Sequence, residues 1–236
     1  MAKKLADIQE YIELQNKPFS SYLKNSLTNN VYDFIEEMAL HTKVYLFSGI
    51  IRNYFLKNKT IRDVDIVIES DHDLMELMNQ YDCRVNSFGG YKVKIDNLVV
   101  DVWRMDKTWA INKHQTILNL WLDTYIPHTA FFNFSAVVFS INEEKFIYTK
   151  YFLRFLRDKK MDVVYAPNAN YHLCVVNSFY YSEKYNLKFS KKLVELLKKI
   201  HSRIDKNYVP VQEKHFGKVL YQNFEIEERL KNMVYS

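Results

Sequence analysis

Apolar residues recur at helical spacing through the first forty residues of the chain. In two stretches, successive apolar positions lie three or four residues apart, as they do on one face of an α-helix. These positions are Leu5, Ile8, Tyr11 and Leu14 in the first stretch, and Val31, Phe34, Ile35 and Met38 in the second. The spacing predicts two amphipathic helices, and Pro18 between them predicts a break in the helical backbone.

Three later segments have the pattern of β-strands. Residues 44–47 and 98–103 are short and mostly apolar, whereas residues 61–68 alternate between apolar and polar positions. A period of two places alternate side chains on opposite faces of a strand. In the alternating segment, the face predicted to be buried holds Val64, Ile66 and Ile68, and the other face holds Asp63, Asp65 and Val67.

The segments between and after these strands predict a mixture of helices and strands. Residues 50–56 predict a helix, and residues 71–81 predict another with Asp71 as its N-cap. Residues 131–141 predict a buried strand, and residues 146–148 predict a short one.

From Pro167 onward the pattern is mostly helical. Residues 191–204 carry an apolar stripe opposite a basic face. The basic side chains are either merely solvated or able to contact phosphate groups, and the sequence leaves both interpretations open. They are Lys191, Lys192, Lys198, Lys199 and Arg203.

Composition excludes several classes of protein. The chain has 236 residues, with four Gly and four Pro, which argues against long disordered or low-complexity segments. No run approaches the roughly 18 consecutive apolar residues of a membrane-spanning helix, and no secretory signal is recognised. The two cysteines, Cys83 and Cys174, form no disulfide framework, so we expect a cytoplasmic protein. The net charge of +5 permits a polyanionic partner.

Because glycine is scarce, the turn at Ser48-Gly49 is informative. It joins an apolar strand to a predicted helix, and such a turn can bind an anion through backbone N–H groups. An ordinary tight turn between a strand and a helix would have the same sequence pattern.

Three aspartates lie on or within the predicted strands. Asp63 and Asp65 share one strand face, and Asp101 interrupts an apolar strand where aspartate is disfavoured. If the two strands are neighbours, the three carboxylates can hold two Mg²⁺ ions roughly 3.5–4 Å apart, as in phosphoryl and nucleotidyl transfer. A solvated strand face is the alternative for the Asp-X-Asp pair.

Four motifs occur in an order and spacing that resemble a known family. They are Ser48-Gly49-Ile50-Ile51-Arg52-Asn53, Asp63-Val64-Asp65-Ile66-Val67, Phe88-Gly89-Gly90 and Asp101-Val102-Trp103-Arg104. Together they resemble the head domain of the polymerase-β-like nucleotidyltransferase superfamily, nearest to bacterial tRNA CCA-adding enzymes and poly(A) polymerases. The resemblance implies an α+β fold, with a mixed sheet and flanking helices in a head at residues 1–165. A small helical, neck-like domain is expected at residues 166–236.

The resemblance also implies roles for the motif residues. Asp63, Asp65 and Asp101 would be catalytic and would bind two Mg²⁺ ions, for which Mn²⁺ can substitute. The nucleotide-binding residues would be Ser48, Gly49, Arg52, Asn53 and Arg104. The donor would be an NTP or dNTP.

Several positions depart from the family pattern. Ser48 replaces a glycine and Asn53 replaces an aspartate, and residues 129–136 lack the Arg and Asp that help to read the sugar. Ribose selectivity is therefore in doubt. Cys174, Asn177 and Tyr180 stand where base-reading arginines would be expected, so CCA addition to tRNA is not expected.

These departures leave three hypotheses about function. The first is template-independent transfer of NMP or dNMP to an acceptor hydroxyl, making short oligonucleotides, self-primed at Tyr235 or Ser236 and serving antiviral signalling. The second is NMP transfer to a partner protein or a tRNA end by a toxin-type enzyme. The third is a catalytically inactive head that acts as a binding module. None of the three requires a membrane.

Overall fold

A seven-stranded mixed sheet forms the centre of the molecule. The computed structural model describes residues 4–58, 60–86, 89–114 and 122–234. The strands of the sheet are β1 (Val44–Phe47), β2 (Asp63–Ile68), β3 (Asp82–Val85), β4 (Tyr91–Ile95), β5 (Leu98–Arg104), β6 (Val137–Ser140) and β7 (Lys145–Tyr148). Their spatial order is β3-β4-β5-β2-β1-β6-β7. β2 and β5 are parallel, and the other neighbouring pairs are antiparallel.

Helices surround this sheet. They are α1 (Leu5–Leu14), α2 (Asn16–Ser26), α3 (Asn29–His41), α4 (Gly49–Phe55), α5 (Met75–Met78), α6 (Trp109–His114), α7 (Leu122–Tyr125), α8 (Lys150–Asp158), α9 (Tyr171–Tyr185), α10 (Lys191–His201), α11 (Val209–Phe216) and α12 (Asn223–Lys231). Two further short strands, β8 (Lys160–Met161) and β9 (Lys188–Phe189), pair in parallel. This α+β architecture confirms the predicted fold class. Within the described ranges, no helix is both long and apolar enough to cross a membrane.

The two faces of the sheet are covered differently. One face packs into the main core, to which β2 contributes Val64, Ile66 and Ile68, as its alternation predicts. The other face carries a smaller apolar cluster of Tyr45, Val67, Met105, Ile126 and Val138. Asp63 and Asp65 project from this second face, because they alternate with the buried residues of β2.

The main core is continuous across the predicted domain boundary at residue 165. It includes Phe132 and Phe155 before the boundary and Phe179, Leu193 and Ile226 after it. The segment from Pro167 onward is mostly helical, as predicted. The division into a head and a neck-like domain stays a prediction.

The N-terminal helices differ from the prediction. A helix that the sequence analysis did not predict, α2, lies between the two that it did, and Pro18 is in its first turn. Proline is tolerated there because the first backbone N–H groups of a helix have no partner within the helix. The break between α1 and α2 is at Gln15 instead.

The helix predicted over residues 71–81 is also wrong in extent. Only Met75–Met78 is helical, with Leu74 at its N-cap. Asp71 caps nothing there, because its carboxylate accepts hydrogen bonds from Tyr91 Oη and from Arg104. The helix prediction depended on Asp71 as N-cap, but this side chain is hydrogen-bonded to residues from other parts of the fold.

The strand predicted over residues 131–141 is shorter than expected. Only Val137–Ser140 is a strand, and Asn133–Ser135 forms a 3₁₀ turn. Asn133 is buried, donates to the carbonyl of Lys160 and accepts from the backbone N–H of Asp162. These bonds hold the chain against the β8 segment instead of in the sheet.

Candidate active site

The three aspartates are brought onto one face of neighbouring strands. In the parallel β2–β5 pair, Asp65 lies directly beside Asp101, and Asp63 lies beside Val99. Residues in register on adjacent strands share a face, so Asp63, Asp65 and Asp101 all point to the same side of the sheet. The adjacency that the sequence argument required is thus present.

The turn between β1 and α4 lies next to these acids. Phe47, the last residue of β1, is in register with Asp65. A side chain at Gly49 would come within 4.0 Å of both Asp65 Oδ2 and Arg52 Nη2. These are ordinary contact distances, so the turn brings the backbone at Gly49 next to both an acid and a guanidinium group.

Ser48 has an unusual backbone conformation in this turn. Its φ of 57° and ψ of −89° are rarely adopted by residues with a side chain. A conformation of this kind costs on the order of 1–3 kcal/mol and persists only where the surroundings enforce it. Here the Ser48 hydroxyl donates to Ser135 Oγ at 2.7 Å, which fixes the turn to the segment before β6.

Arg52 is buried among aromatic rings. Its guanidinium carbon lies 4.6 Å from the centre of the Tyr181 ring, 5.5 Å from that of Tyr185 and 5.6 Å from that of Phe134. Such cation–π contacts hold a positive charge in a poorly hydrated place. The arginine is therefore positioned beside Asp65 without an ion pair of its own in the described residues.

Asn53 connects α4 to its neighbours. Its side-chain oxygen accepts a hydrogen bond from Tyr185 Oη at 2.7 Å and weaker ones from Arg52 at 3.3 and 3.4 Å. Its amide donates to the carbonyl of Thr60 at 2.7 Å. Through these bonds Asn53 is held next to Arg52 and orients its guanidinium group.

Of the three acids, Asp65 has the negative charge that is least compensated by neighbouring basic side chains. Burial raises its pKa from the ordinary 3.8 to about 7, and the neighbouring Asp63 and Asp101 charges act in the same direction. Arg52 and Arg62 lower this pKa in part. Without a bound cation, the folded protein therefore disfavours the ionised form of Asp65.

The other two acids have basic partners. Lys92 Nζ lies 2.8 Å and 2.9 Å from the two carboxylate oxygens of Asp101, because Lys92 on β4 is in register with Asp101. Arg62 Nη2 lies 2.7 Å from Asp63 Oδ2. Sequence reasoning missed both bases, although Arg62 adjoins Asp63 and Lys92 would follow from the β4–β5 pairing.

The fit of a metal ion can be tested against this arrangement. In the part of the chain that the structure describes, no three His, Cys, Asp or Glu side chains are placed as a ready metal-binding group. The donor chemistry nevertheless suits a divalent cation, because carboxylate oxygens are the ligands that Mg²⁺ prefers. A cation beside Asp65 would also offset the burial and the charge repulsion that raise the pKa of this carboxyl group. The two-metal site stays a prediction.

A cleft of ≈ 580 Å³ opens in front of the acids. One side is formed by the sheet and by the turn at Ser48. The opposite side is formed by α9 and α11, which contribute Asn177, Tyr180, Tyr181, Lys184, His215 and Phe216. Burial, and then the Arg62 charge, lower the pKa of His215, so its imidazole is neutral near pH 7. The cleft therefore places aromatic side chains and the basic Lys184 opposite a group of acids.

Asn177 lies in the cleft at a position where the sequence resemblance leads us to expect an arginine. It lines both this cleft and an adjoining cavity of ≈ 200 Å³. Its Oδ1 atom is buried and has no hydrogen-bond partner among the described residues. An unpartnered buried acceptor is costly, which makes Asn177 a candidate ligand contact.

Arg104 is not brought into the cleft. It lies three residues after Asp101 and so projects from the opposite face of β5. Its guanidinium is held at 2.9 Å by Asp106 and at 3.5 Å by Asp71. The nucleotide-binding role of Arg104 stays a prediction that this geometry does not favour.

The Phe88-Gly89-Gly90 motif is described in part, because Phe88 lies outside the described residues. A side chain at Gly90 would approach the carbonyl oxygen of Val102 to 2.7 Å, so the close packing of β4 on β5 requires glycine there. This packing brings Lys92 to Asp101.

Comparison with known proteins shows the fold. No protein-family model matches this chain, and no curated protein matches it in sequence. Solved structures do match, among them a CCA-adding enzyme with ATP, at a TM-score of 0.65 and 14% identity over 91% of this chain and 54% of that one. A tRNA-processing enzyme in an apo form matches at 0.61 and 19%, over 88% and 57% respectively.

A tRNA nucleotidyltransferase complexed with a primer tRNA and an incoming ATP analog matches at a TM-score of 0.58 and 21% identity, over 85% of this chain and 59% of that one. The chain therefore spans little more than half the length of these structures. They confirm the predicted fold, which this chain shares with part of each of these enzymes.

Proposed function

We propose that this protein transfers a nucleoside monophosphate from a nucleoside triphosphate to an acceptor hydroxyl. The observation that carries the proposal is the placement of Asp63, Asp65 and Asp101 on one sheet face, beside the turn at Ser48 and facing a basic cleft. Proteins of the same fold were solved with ATP, with CTP and with a primer tRNA, which supports a nucleotide donor and a nucleic-acid acceptor.

The reaction can be written from these groups. The acceptor oxygen forms a bond to the α-phosphorus of the donor, and the bond from that phosphorus to the bridging oxygen of the β-phosphate breaks. Pyrophosphate leaves with the electron pair. The proton of the acceptor hydroxyl passes to the Asp101 carboxylate and then to water. Mg²⁺ held by Asp63, Asp65 and Asp101 would supply charge stabilisation for the triphosphate and the leaving group.

The chain's own basic residues would position the triphosphate. Arg62, Lys92 and Lys184 line the cleft and can form charge-assisted hydrogen bonds to phosphate oxygens. Arg62 and Lys92 would exchange their carboxylate partners for the donor when it binds. Arg52, fixed among aromatic rings, supplies a positive charge beside Asp65 without leaving its place.

The sugar and the product are finer parts of the proposal. Residues 129–136 carry no Arg or Asp, and Phe132 and Phe134 from this segment pack into the core. We therefore propose that the donor can be a deoxynucleotide as well as a ribonucleotide. We propose template-independent synthesis of short oligonucleotides, with a role in antiviral signalling. Self-priming at Tyr235 or Ser236 is also proposed, and both residues lie outside the described residues.

The direct test is incubation of the pure protein with Mg²⁺ and each labelled NTP and dNTP separately. Reactions with and without an oligonucleotide acceptor would be resolved on nucleic-acid and protein gels. A ladder supports oligonucleotide synthesis, and a labelled protein band supports transfer to a protein hydroxyl. Product that persists in Asp65→Asn protein would contradict the proposed site.

One observation favours a second candidate function, that of a nucleotide-binding module without transfer. Two of the three acids are already neutralised by Arg62 and Lys92 within the protein. If these ion pairs persist when nucleotide binds, the site cannot gather metal ions. Tight NTP binding without Mg²⁺, and without product from any nucleotide, would establish this alternative.

A further inference from the structure

Two basic segments of the sequence meet on the surface of the molecule outside the cleft. One consists of α8 and β8, and the other consists of β9 and the first turn of α10. They are joined because β8 pairs with β9, with Lys160 in register with Lys188. The backbone N–H of Ser190 also donates to the carbonyl of Met161 at 2.8 Å, so α10 begins beside β8.

This region, named the β8–β9 surface, carries more positive than negative charge. Its cations are Lys150, Arg154, Arg157, Lys160, Lys188, Lys191 and Lys192. Ion pairs within the surface are Arg157–Asp158 and Lys191–Glu195. Among the described residues, Arg154 and Lys188 have no acidic side chain within ion-pair distance. These cations do not line the cleft, so the positive charge here is separate from that of the proposed triphosphate site.

The basic side chains of α8 lie along one face of the helix. Lys150, Arg154 and Arg157 are at positions i, i+4 and i+7, opposite the buried apolar face. At the usual rise per residue they form a line about 10 Å long. The hydrogen bond from Arg157 lowers the pKa of Asp158 most, and the charges of neighbouring basic residues on α8 and β8 lower it further. The line of positive charge therefore continues onto β8.

Aromatic rings adjoin the other end of this line. Lys150 Nζ and Lys192 Nζ lie 5.7 Å and 6.0 Å from the centre of the Tyr151 ring. The His128 ring meets Tyr151 edge-on and stacks on the ring of Tyr125. Burial, and then the Lys150 charge, lower the pKa of His128, so its imidazole is neutral near pH 7. Half-buried aromatic rings thus stand beside the first cations of α8 and α10.

We infer that the β8–β9 surface binds the phosphate backbone of a single-stranded nucleic acid, with bases resting on the rings of Tyr125 and Tyr151. A line of cations suits a chain of phosphates, because each contact releases condensed counterions. Aromatic rings beside such a line are typical of proteins that bind single strands without preference for sequence. The surface lies outside the cleft, so this inference goes beyond the proposed transfer and does not depend on it.

The same features argue against a lipid surface as the partner. A helix that lies in a membrane interface inserts large apolar side chains between the lipids. The large apolar side chains that are exposed in the described residues belong to other parts of the fold, among them Leu14, Leu40 and Phe224. The β8–β9 surface therefore offers charge and flat rings, which suit nucleotides, and no apolar anchor.

The test measures binding of a fluorescein-labelled oligodeoxythymidylate to the full chain by fluorescence anisotropy, in EDTA and without NTP. The double variant Arg154→Gln/Lys188→Gln is expected to weaken binding about tenfold near physiological salt. The slope of log K against log salt concentration should become shallower by about 1.4, because each phosphate contact on a single strand contributes about 0.7. Lys24→Gln/Lys94→Gln removes two exposed lysines from α2 and β4 and is the matched control, expected to stay within about twofold of wild type.

A second variant separates stacking from charge. Tyr151→Leu removes the ring and is expected to weaken binding about tenfold with the salt slope unchanged. Tyr151→Phe keeps the ring and should bind as wild type does. Circular dichroism checks that each variant is folded.

Three results would overturn the inference. Equal weakening in the two double variants would show that net charge, and not this surface, attracts the strand. Displacement of the oligonucleotide from the wild-type protein by equimolar ATP would place the strand in the cleft. Binding to phosphatidylserine vesicles without binding to the oligonucleotide would favour a lipid partner. Asp65→Asn should bind the oligonucleotide as wild type does, so loss of transfer with retained binding concerns the proposed function alone.

Discussion

The sheet side and the helical side of the cleft hold their polar groups by different means. On the sheet side, Asp63, Asp65 and Asp101 stand on hydrogen-bonded strands, and two of them are ion-paired. On the helical side, α9 and α11 present mostly aromatic and neutral polar groups. The first arrangement fixes charge for a reaction, whereas the second offers contacts that can distinguish one nucleotide from another. Changes on the sheet side should therefore affect rate, and changes on the helical side should affect preference.

Asp65→Asn changes the sheet side of the cleft and is expected to have the largest effect on the transfer rate. Removing this charge from the centre of the site is expected to lower the transfer rate by about 10³-fold or more, since it removes the central ligand for the metal ion. The rate is measured with the best nucleotide from the labelled screen, and circular dichroism serves as the check on folding. A variant within tenfold of wild type would mean that Asp65 is not part of the catalytic machinery.

Arg52→Met would test the group that connects the two sides. Hydrogen bonds to charged groups contribute about 1.5–3 kcal/mol, so loss of the guanidinium is expected to weaken NTP binding by about 10- to 100-fold. Isothermal titration with each NTP measures the effect. Arg52→Lys should recover only part of it, because lysine lacks the planar shape that packs against Tyr181. Full recovery by lysine would show that charge alone matters.

Asn177→Ala would test the helical side. The unpartnered Oδ1 of Asn177 is expected to accept a hydrogen bond from the bound nucleotide. Loss of one neutral hydrogen bond should raise KM for the preferred NTP about fivefold. The KM of the other nucleotides and the value of kcat should change little. Asn177→Asp keeps an acceptor oxygen and should retain the preference. An equal change for all four nucleotides would show that Asn177 selects nothing.

Lys92→Met would test whether an internal base competes with metal at the sheet side. Without its ion pair to Lys92, Asp101 should bind Mn²⁺ about threefold more tightly. A partly exposed ion pair contributes roughly 0.2–1 kcal/mol, which sets the size of the effect. Electron paramagnetic resonance of free Mn²⁺ reports the affinity without reference to activity. The exposed Lys94 on the same strand gives the matched control, Lys94→Met. Weaker Mn²⁺ binding in Lys92→Met would show that the lysine assists the metal site.

The raised pKa of Asp65 predicts a dependence of stability on pH. The folded metal-free protein retains the Asp65 proton between its ordinary pKa of 3.8 and about 7, where the unfolded chain has lost it. Stability should therefore fall as pH rises through this range. A rise in pKa from 3.8 to about 7 corresponds to about 4 kcal/mol. Asp65→Asn should therefore gain about 8–16 °C in Tm over wild type at pH 8 relative to pH 4, in a chain of this size. Thermal unfolding in EDTA measures it, and an unchanged difference would contradict the burial of this carboxyl group.

The acids of the site could be found from the sequence because their signals are local. Alternation places Asp63 and Asp65 on one face, and Asp101 is conspicuous inside an apolar strand. The same alternation places Arg104 on the strand face opposite Asp101. It therefore does not favour a nucleotide-binding role for Arg104. Lys92 depends on the β4–β5 register, and Lys184 and His215 depend on how the last helices pack. These are tertiary facts, and no local pattern predicts them.

The hydrogen bond between Ser48 and Ser135 has a consequence for how the protein folds. It joins residues 87 positions apart in the chain, and long loops of this kind close late because their ordering entropy must be met before the contact forms. Until β6 has docked beside β1, the hydrogen bond to Ser135 cannot help to hold Ser48 in its strained conformation. The turn at the centre of the cleft is thus completed only when the sheet is, and a partly folded chain has no competent site.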